Sequence, residues 1–209
     1  MPPIFSMARR LNRFRTWGVL GLVACTRTLS SQGCSGPPLE SWHTEKLTAE
    51  FTAEMADEIQ TFDDYRKLED RLFAQLEEEV YARTKTGPEY ALVRYSSGSA
   101  ADPQRREHNW NRSFELPAKT VAGGVLLLHG MSDSPYSLRA LGERLNQHNY
   151  WVIGLRLPGH GTAPSGLKSI SWRDMAVAVR LSMEHLASKV GQKPIHIAGY
   201  STGAPLAID

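Results

Sequence analysis

The chain has 209 residues, of which 41% are hydrophobic and 22% are charged. These values predict a folded globular domain of ordinary size, and they exclude wholesale disorder and a multispan membrane protein. The formal net charge is +2, but residues 1–24 carry four arginines and no acid, so the remaining residues hold 20 basic and 22 acidic side chains. The charge therefore gives no support to a nucleic-acid partner. The two cysteines, Cys25 and Cys34, are too few for a disulfide scaffold or a zinc site.

Residues 1–24 have the pattern of a signal peptide, in which an arginine-rich stretch precedes the apolar run Trp17–Ala24. That run is shorter than the roughly 20 residues that a membrane-spanning helix needs. The sequence Leu22-Val23-Ala24-Cys25 resembles the lipobox of bacterial lipoproteins. The resemblance implies cleavage before Cys25, acylation of its thiol and a membrane-anchored lipoprotein of the cell envelope. An ordinary cleaved signal, giving a periplasmic or secreted protein, and a mitochondrial transit peptide remain alternatives, since no acid precedes Glu40.

Two segments of different composition follow the leader. Residues 25–44 are predicted to be a tether, because Ser, Gly and Pro dominate their first part. Residues 45–84 form an acidic helical extension, whose apolar residues recur at spacings of three and four: Phe62, Tyr65, Leu68, Leu72, Phe73, Leu76 and Val80. Thr61 and Asp64 predict the helix start. The expected arrangement is an amphipathic helix packed on the following domain, and a surface that binds a partner is the alternative.

The next segment is predicted to begin with Tyr90–Tyr95 as a strand, Ser96–Arg106 as a turn-rich loop and Ser113–Leu116 as a second short strand. Apolar runs and amphipathic helices then alternate. The run Val125–Leu128 precedes a helix with Ser134 as N-cap, Pro135 in its first position and one apolar face made by Leu138, Leu141 and Leu145.

The alternation continues to the end of the chain. The run Trp151–Leu155 precedes a helix that opens at Ser171 with Asp174 in a capping box and stops at Gly191. Its predicted apolar stripe comprises Trp172, Met175, Val179, Met183, Leu186 and Val190. A third run, Ile195–Ala198, follows. Apolar strands separated by amphipathic helices predict an α/β fold with a parallel sheet covered on both faces.

The sequence Gly199-Tyr200-Ser201-Thr202-Gly203 matches G-x-S-x-G between an apolar strand and a helix start. This is the placement of a nucleophile elbow, which exposes a serine hydroxyl at a tight strand-to-helix turn. Gly199 and Gly203 are expected where side chains would collide as the backbone folds back. Ser201 would lie at a helix N-terminus, where backbone N–H groups favour developing negative charge.

Two further motifs lie at the carboxyl ends of predicted strands. His129-Gly130-Met131 follows the first run, and Arg156-Leu157-Pro158-Gly159-His160-Gly161 follows the second. Together with the elbow, they resemble the α/β-hydrolase superfamily. The resemblance implies that residues 88–209 are the N-terminal half of a doubly wound, mostly parallel sheet, preceded by the helical extension. It also assigns Ser201 as the catalytic nucleophile, His129 and Gly130 to the oxyanion loop, and the N–H groups of Met131 and Thr202 to the oxyanion hole.

Within the superfamily, the motifs resemble carboxylesterases, lysophospholipases and monoacylglycerol lipases, and also the serine aminopeptidase branch. The resemblance implies a serine hydrolase that cleaves carboxylic esters of small molecules or lipids through an acyl-enzyme, with no cofactor and no metal. Amide hydrolysis of the aminopeptidase type is one alternative. A lipid-anchored binding protein without activity, or an inactive fragment, is the other.

The histidines give no base for Ser201. His129 and His160 are expected to shape loops through backbone hydrogen bonds, and His196 is expected in the core. No histidine follows Ser201 in the 209 residues. The superfamily places its acid and then its histidine after the nucleophile, so both are expected beyond residue 209. Asp209 is a poor candidate for the acid, because it lies on the helix that leads away from the elbow.

Overall fold

The structure, a computed structural model, describes residue 36 and residues 38–208. The predicted signal peptide, Cys25 and most of the predicted tether lie outside the described residues. The helices are α1 (Ser41–Thr44), α2 (Phe62–Leu76), α3 (Arg139–Gln147), α4 (Trp172–Val190) and α5 (Gly203–Leu206). Short 3-10 helices occupy Ala53–Asp57, Pro88–Tyr90, Pro103–Arg105, Pro135–Leu138 and Pro164–Lys168, and a π-helical turn at Glu77–Tyr81 extends α2.

The four strands form one mostly parallel sheet in the order β1-β3-β2-β4. Their bounds are Phe114–Leu116 for β1, Gly123–Leu128 for β2, Tyr150–Leu155 for β3 and Ile195–Gly199 for β4. Strand β2 is parallel to both β3 and β4, whereas β1 is antiparallel to β3. The α/β fold predicted from the alternating runs is therefore confirmed, and β2 and β4 are neighbours although β3 separates them in the chain.

Both faces of the sheet are covered, because successive side chains of β2 point to opposite sides. Val125 and Leu127 pack with Val152, and Leu138 and Leu145 pack against this cluster on one face. On the other face Leu126 and Leu128 are buried in a larger cluster with apolar residues of α4. Two-sided burial explains why β2 is an uninterrupted apolar run and why its six residues are all buried.

The acidic extension is part of the larger apolar cluster. Phe62, Tyr65 and Leu68 of α2 pack with residues of β2, β3 and α4, and all seven apolar positions predicted for this helix are buried. The Thr61 hydroxyl accepts a hydrogen bond from the Asp64 N–H at 3.1 Å, as the cap prediction requires. The helical periodicity therefore identified a helix that packs on the sheet through one face and leaves most of its carboxylates in water.

A buried ion cluster joins this extension to the loop after β3. The Arg156 side chain is 1% exposed; its Nε donates to Glu69 at 2.7 Å, and its terminal nitrogens donate to both Glu50 oxygens at 3.0 and 3.1 Å. Arg156 also donates to the carbonyl of His160 at 3.1 Å. Glu69 in turn accepts from the backbone N–H and the hydroxyl of Ser113, just before β1. The Arg156 guanidinium thus holds together the segment around Glu50, helix α2 and the loop after β3.

Several local predictions are wrong. Tyr90–Tyr95 is not a strand: Pro88 opens a 3-10 turn, and Val93 and Ser96 donate three residues back to close successive turns. Ser134 and Pro135 do occupy the predicted N-cap and first positions, but of a 3-10 turn that precedes α3, and the Ser134 hydroxyl donates to Asn111 at 2.7 Å instead of capping.

Two apolar residues are also more exposed than their helical patterns predict. Leu141 is 43% exposed, and the buried position on α3 is Gly142, against which the Phe114 ring packs. Trp172 is 42% exposed in the first turn of α4, although the capping box of Ser171 and Asp174 is present as predicted. The Asp174 carboxylate also accepts from the Ala53 N–H at 2.6 Å, so the cap is a second tie to the extension.

Within the described part of the chain, none of the helices combines the length and the hydropathy needed to cross a bilayer.

We expect Glu69→Gln to lower the free energy of unfolding by about 3 kcal/mol, because it leaves the buried Arg156 charge partly uncompensated. Denaturant titration at neutral pH measures this change. Asp70→Asn is the matched control: Asp70 pairs with Arg112 at 2.6 Å, but its side chain is 74% exposed. A surface pair of this kind contributes about 0.5 kcal/mol. Equal effects of the two substitutions would contradict the conclusion that the buried Arg156 cluster stabilises the fold.

Candidate active site

The segment from β4 to α5 forms a sharp strand-to-helix turn that places Ser201 at its apex. Ser201 has a φ of 51°, one of three positive values among non-glycine residues in the described chain. A serine in this left-handed region is strained, and such strain is characteristic of functional turns. The side chain of Ser201 is exposed. The predicted nucleophile is therefore held in the conformation that a nucleophile elbow requires.

The two glycines of the motif allow close backbone approach. A Cβ on Gly199 would collide with the carbonyl oxygen of Gly203, and a Cβ on Gly203 would collide with the carbonyl oxygen of Leu128 at the end of β2. The Gly203 N–H donates to the Tyr200 carbonyl at 2.9 Å, and the Ala204 N–H donates to the Ser201 carbonyl at 3.0 Å. The turn is thus closely folded and packed against β2, and side chains at Gly199 and Gly203 would collide with the backbone, as predicted.

The His129-Gly130-Met131 segment lies directly beside this turn. A Cβ built on Gly130 would lie 2.9 Å from the Tyr200 ring and 3.1 Å from the Ser201 Cβ. The Tyr200 N–H donates to the Leu128 carbonyl at 3.3 Å. The parallel pairing of β2 with β4 causes this proximity, because it brings the carboxyl ends of both strands to one edge of the sheet.

The two N–H groups assigned to the oxyanion hole find no hydrogen-bond acceptor in the part of the chain that the structure describes. Among the hydrogen bonds of residues 36 and 38–208, neither the Met131 N–H nor the Thr202 N–H is a donor. Met131 lies in the turn after β2, and Thr202 immediately precedes α5. Unengaged N–H groups on two adjoining turns can bind an oxyanion that develops beside Ser201.

A polar contact without a sequence signal links the two turns. The Tyr200 hydroxyl donates to the Asp133 carboxylate and is 3.1 Å from the Ser137 hydroxyl. Asp133 also accepts from the Ser134 N–H at 2.7 Å. Tyr200 occupies the first variable position of G-x-S-x-G, so the motif gives no reason to single it out. The contact positions the segment after Met131 relative to the nucleophile turn.

His129 shapes its loop and is held in the neutral form. Its Nε2 accepts from the Leu157 N–H at 3.1 Å, and its Nδ1 is 2.9 Å from the Gly130 carbonyl, so the proton is assigned to Nδ1. Burial lowers the pKa of His129 to about 4. Both nitrogens are occupied by backbone partners, which is the loop-shaping role predicted for this residue.

His160 has a similar environment. Its ring stacks edge-on against His129 with centroids 5.1 Å apart, and its Nδ1 is 2.8 Å from the Pro158 carbonyl. Burial also lowers the pKa of His160. The two histidines therefore connect the His129-Gly130-Met131 segment to the loop after β3.

The prediction of a core position for His196 is wrong. His196 is exposed on β4, because β4 lies at one edge of the described sheet. His185, on α4, is half-buried and lies 2.9 Å from the Glu115 carboxylate. In the described part of the chain, no group of three or more His, Cys, Asp or Glu side chains is placed to hold a metal ion.

Comparison with known proteins finds similarity to hydrolases. Residues 119–209 match the model of the serine aminopeptidase family S33, a group of hydrolases. A thermostable monoacylglycerol lipase from Bacillus sp. (strain H-257) is 32% identical over 85 residues, which is 41% of this chain and 33% of that protein. The matching region thus spans about a third of the curated relative's length. A solved structure from the metagenome-derived lipolytic enzymes LipS and LipT has 27% identity and a TM-score of 0.44, covering 47% of this chain and 39% of that one.

Acidification is expected to destabilise the fold through His129. An unfolded histidine titrates near 6.5, whereas the folded-state pKa of His129 is about 4, so between these values the unfolded chain binds more protons. The stability contribution is complete above about pH 6.5 and is lost as the pH falls towards 4. From pH 7 to pH 5 the expected loss from this residue is about 2 kcal/mol, and His160 adds to it with the same sign.

Denaturant titration at pH 7 and pH 5 measures this loss. His129→Gln should show a smaller loss than the unmodified chain, because the amide oxygen can replace the acceptor of the Leu157 N–H without titrating. His148→Gln is the matched control, since His148 is exposed. If His129→Gln kept the full pH dependence, the buried neutral imidazole would not be its origin.

Proposed function

We propose that this chain, whose residues 119–209 match the serine aminopeptidase family S33, supplies the nucleophile and the oxyanion hole of a serine hydrolase that cleaves carboxylic esters. The observation that carries the proposal is the contact between Gly130 and the strained Ser201 turn, with the N–H groups of Met131 and Thr202 free beside it within the described residues. A serine hydroxyl next to two unengaged donors is the arrangement that acyl transfer needs.

In the proposed reaction, Ser201 Oγ attacks the ester carbonyl and the Met131 and Thr202 N–H groups stabilise the negative charge on the carbonyl oxygen. Collapse of the tetrahedral intermediate releases the alcohol and leaves an acyl-serine, which water then hydrolyses. The proton on Ser201 requires a base. His129 is unsuitable, because both of its nitrogens bind backbone groups and its pKa is about 4.

The base and its acidic partner are proposed to lie after residue 209 in the whole protein. The superfamily order is nucleophile, acid and then histidine, and the match covers only a third of the lipase relative. Residues 119–209 would then hold the acceptor site for the acyl group, and the following sequence would activate Ser201.

Ester and amide substrates are both compatible with this site. The lipase relative favours an ester with a lipid-like acyl chain, whereas the family model carries the aminopeptidase description. Hydrolysis of monoacylglycerol and p-nitrophenyl butyrate should be compared with hydrolysis of aminoacyl p-nitroanilides, using the full reading frame. Turnover of the anilides alone would replace the ester proposal with amide hydrolysis.

Labelling by a fluorophosphonate tests the nucleophile. We expect the full reading frame to be labelled at Ser201 and Ser201→Ala to lose labelling and esterase activity. The 209-residue chain alone should react several orders of magnitude more slowly, because the base is absent. Ser188→Ala, on the exposed side of α4, is the matched control and should leave labelling unchanged. Peptide mass spectrometry locates the label, and a label on another serine would show that the nucleophile has been misassigned.

We also propose that acyl chains on Cys25 anchor the mature protein to a membrane of the cell envelope, with more than one chain needed for lasting attachment. The support is the position of Cys25 directly after the apolar run of the leader.

Intact-mass analysis of membrane-fraction protein should give a mature chain that begins at Cys25 and carries added acyl mass. Cys25→Ser should abolish both the added mass and the membrane association, while Cys34→Ser, the control, should preserve them. An unmodified N-terminus at another residue would contradict the anchor.

A further inference from the structure

A small pocket with a basic and aromatic lining lies beside the segment that follows the oxyanion loop. Its volume is about 160 Å³, and the residues that define its chemistry are Arg94, Arg106, Trp110, Asn111 and Tyr136. No acidic side chain of the described residues lines it. Arg139 lies next to it, because its guanidinium is 4.0 Å from the centroid of the Tyr136 ring, and the Arg106 guanidinium is 5.4 Å from the same centroid. Arg94 and Arg106 therefore line the cavity, and Arg106 and Arg139 lie over the Tyr136 ring at its edge.

These arginines form no ion pairs within the described chain. Among residues 36 and 38–208, none of Arg94, Arg106 and Arg139 forms an ion pair. Arg94 donates to the Gly161 carbonyl at 3.0 Å, and Arg139 donates to the Tyr136 carbonyl at 2.9 Å. The Arg106 guanidinium lies over the Tyr136 ring and donates no hydrogen bond to another described residue. Each guanidinium carries five N–H donors, so most of these donors remain available to an anion.

The pocket adjoins the candidate active site. Arg94 also lines a neighbouring cavity of about 130 Å³, which is bordered by Ser132 and Asp133. These two residues directly follow Met131. On the other side, the Asn111 side chain accepts from the Ser134 hydroxyl at 2.7 Å. A ligand with one end in the basic pocket can therefore extend along the second cavity towards the oxyanion loop.

We infer that the basic pocket binds a phosphate group carried by the ester substrate, an inference that rests on the proposed function and narrows its substrate class. Guanidinium groups bind phosphate oxygens through paired, charge-assisted hydrogen bonds. Two of them, Arg94 and Arg106, line this pocket, and together they match the double charge of a phosphate better than the single charge of a carboxylate. The rings of Trp110 and Tyr136 offer apolar surface to the carbon atoms next to the phosphate. The substrate is thus a phosphate-bearing ester whose scissile carbonyl reaches Ser201.

Binding can be measured without turnover. Isothermal titration calorimetry of the full chain with glycerol 3-phosphate, and separately with inorganic phosphate, should show saturable binding that weakens as salt rises. Arg106→Gln should weaken binding of both probes about tenfold or more, since one charge-assisted contact is lost. Arg106→Lys should retain part of the affinity. The Arg106 side chain is exposed and holds no other described residue by a hydrogen bond, so its replacement leaves the fold intact, and an unchanged melting temperature checks this.

Arg144→Gln is the matched control, because Arg144 is exposed on α3 and lies outside the pocket. It removes the same charge and should leave binding unchanged. Equal weakening by both substitutions, or no weakening by Arg106→Gln, would overturn the inference. Glycerol 3-phosphate binding tighter than that of inorganic phosphate would assign the pocket to an organic phosphate; equal affinity would assign it to the phosphate group alone, still as a phosphate site.

Two further measurements distinguish a phosphate pocket from a membrane-binding surface and from the nucleophile site. Cosedimentation with phosphatidylglycerol vesicles, compared with phosphatidylcholine vesicles, tests whether the arginines bind a membrane surface. Arg106-dependent binding to the anionic vesicles with no binding of glycerol 3-phosphate would overturn the inference. Ser201→Ala should bind glycerol 3-phosphate like the unmodified chain. If labelling of Ser201 failed while Arg106-dependent phosphate binding persisted, the proposed hydrolase function would fall and the phosphate site would stand.

Discussion

The fold around the candidate site depends on burying one positive charge. Arg156 follows β3 and is nearly inaccessible to water, and burying a guanidinium is costly unless carboxylates and carbonyls surround it. Glu50 and Glu69 supply the carboxylates, and both belong to the acidic segment before the sheet. The carbonyl of His160 completes the shell. The segment that looks like an appendage in the sequence therefore provides the counter-charges for the loop that supports the oxyanion region.

This constraint reaches the candidate active site through two histidines. Arg156 binds the carbonyl of His160, the His160 ring packs on His129, and His129 accepts from the N–H of Leu157. His129 immediately precedes Gly130, which touches the Ser201 turn. The chain of contacts is continuous from the acidic segment to the turn that carries Ser201. A rigid support of this kind is needed because oxyanion donors act only when they are held in place before the reaction.

Three other arginines of the described chain form no ion pair, unlike Arg156. Arg156 has its charge balanced by buried partners. In contrast, Arg94 and Arg106 line a cavity that no acidic side chain of the described residues lines, and Arg139 lies beside it against the Tyr136 ring. Like charges repel when they are placed close together, and the repulsion is relieved by an anion. The contrast assigns structural work to the first arginine and recognition of an anion to the other three. It also places the proposed phosphate site on the same end of the sheet as Ser201.

The sequence alone determined the main elements and the identity of the proposed nucleophile. Local signals are strong there: the run Val125–Leu128 is apolar because both sheet faces are covered, and the elbow glycines are required by steric contact within one turn. The capping box at Ser171 was predictable for the same reason, since its partners are three residues apart. Helical periodicity likewise identified α2 and its buried face.

Only the tertiary structure decided the features that join distant segments. The neutralisation of Arg156 by Glu50 and Glu69 has no local signature, because an acidic residue on a helix normally faces water. Tyr90–Tyr95 forms turns instead of a strand, although its residues favour extended backbone. The contact of Tyr200 with Asp133 and the grouping of Arg94 with Arg106 also depend on how separate segments of the chain pack together. Spacing along a sequence specifies which residues share a face, but the pairing of β2 with β4 and the burial of charge specify which faces meet.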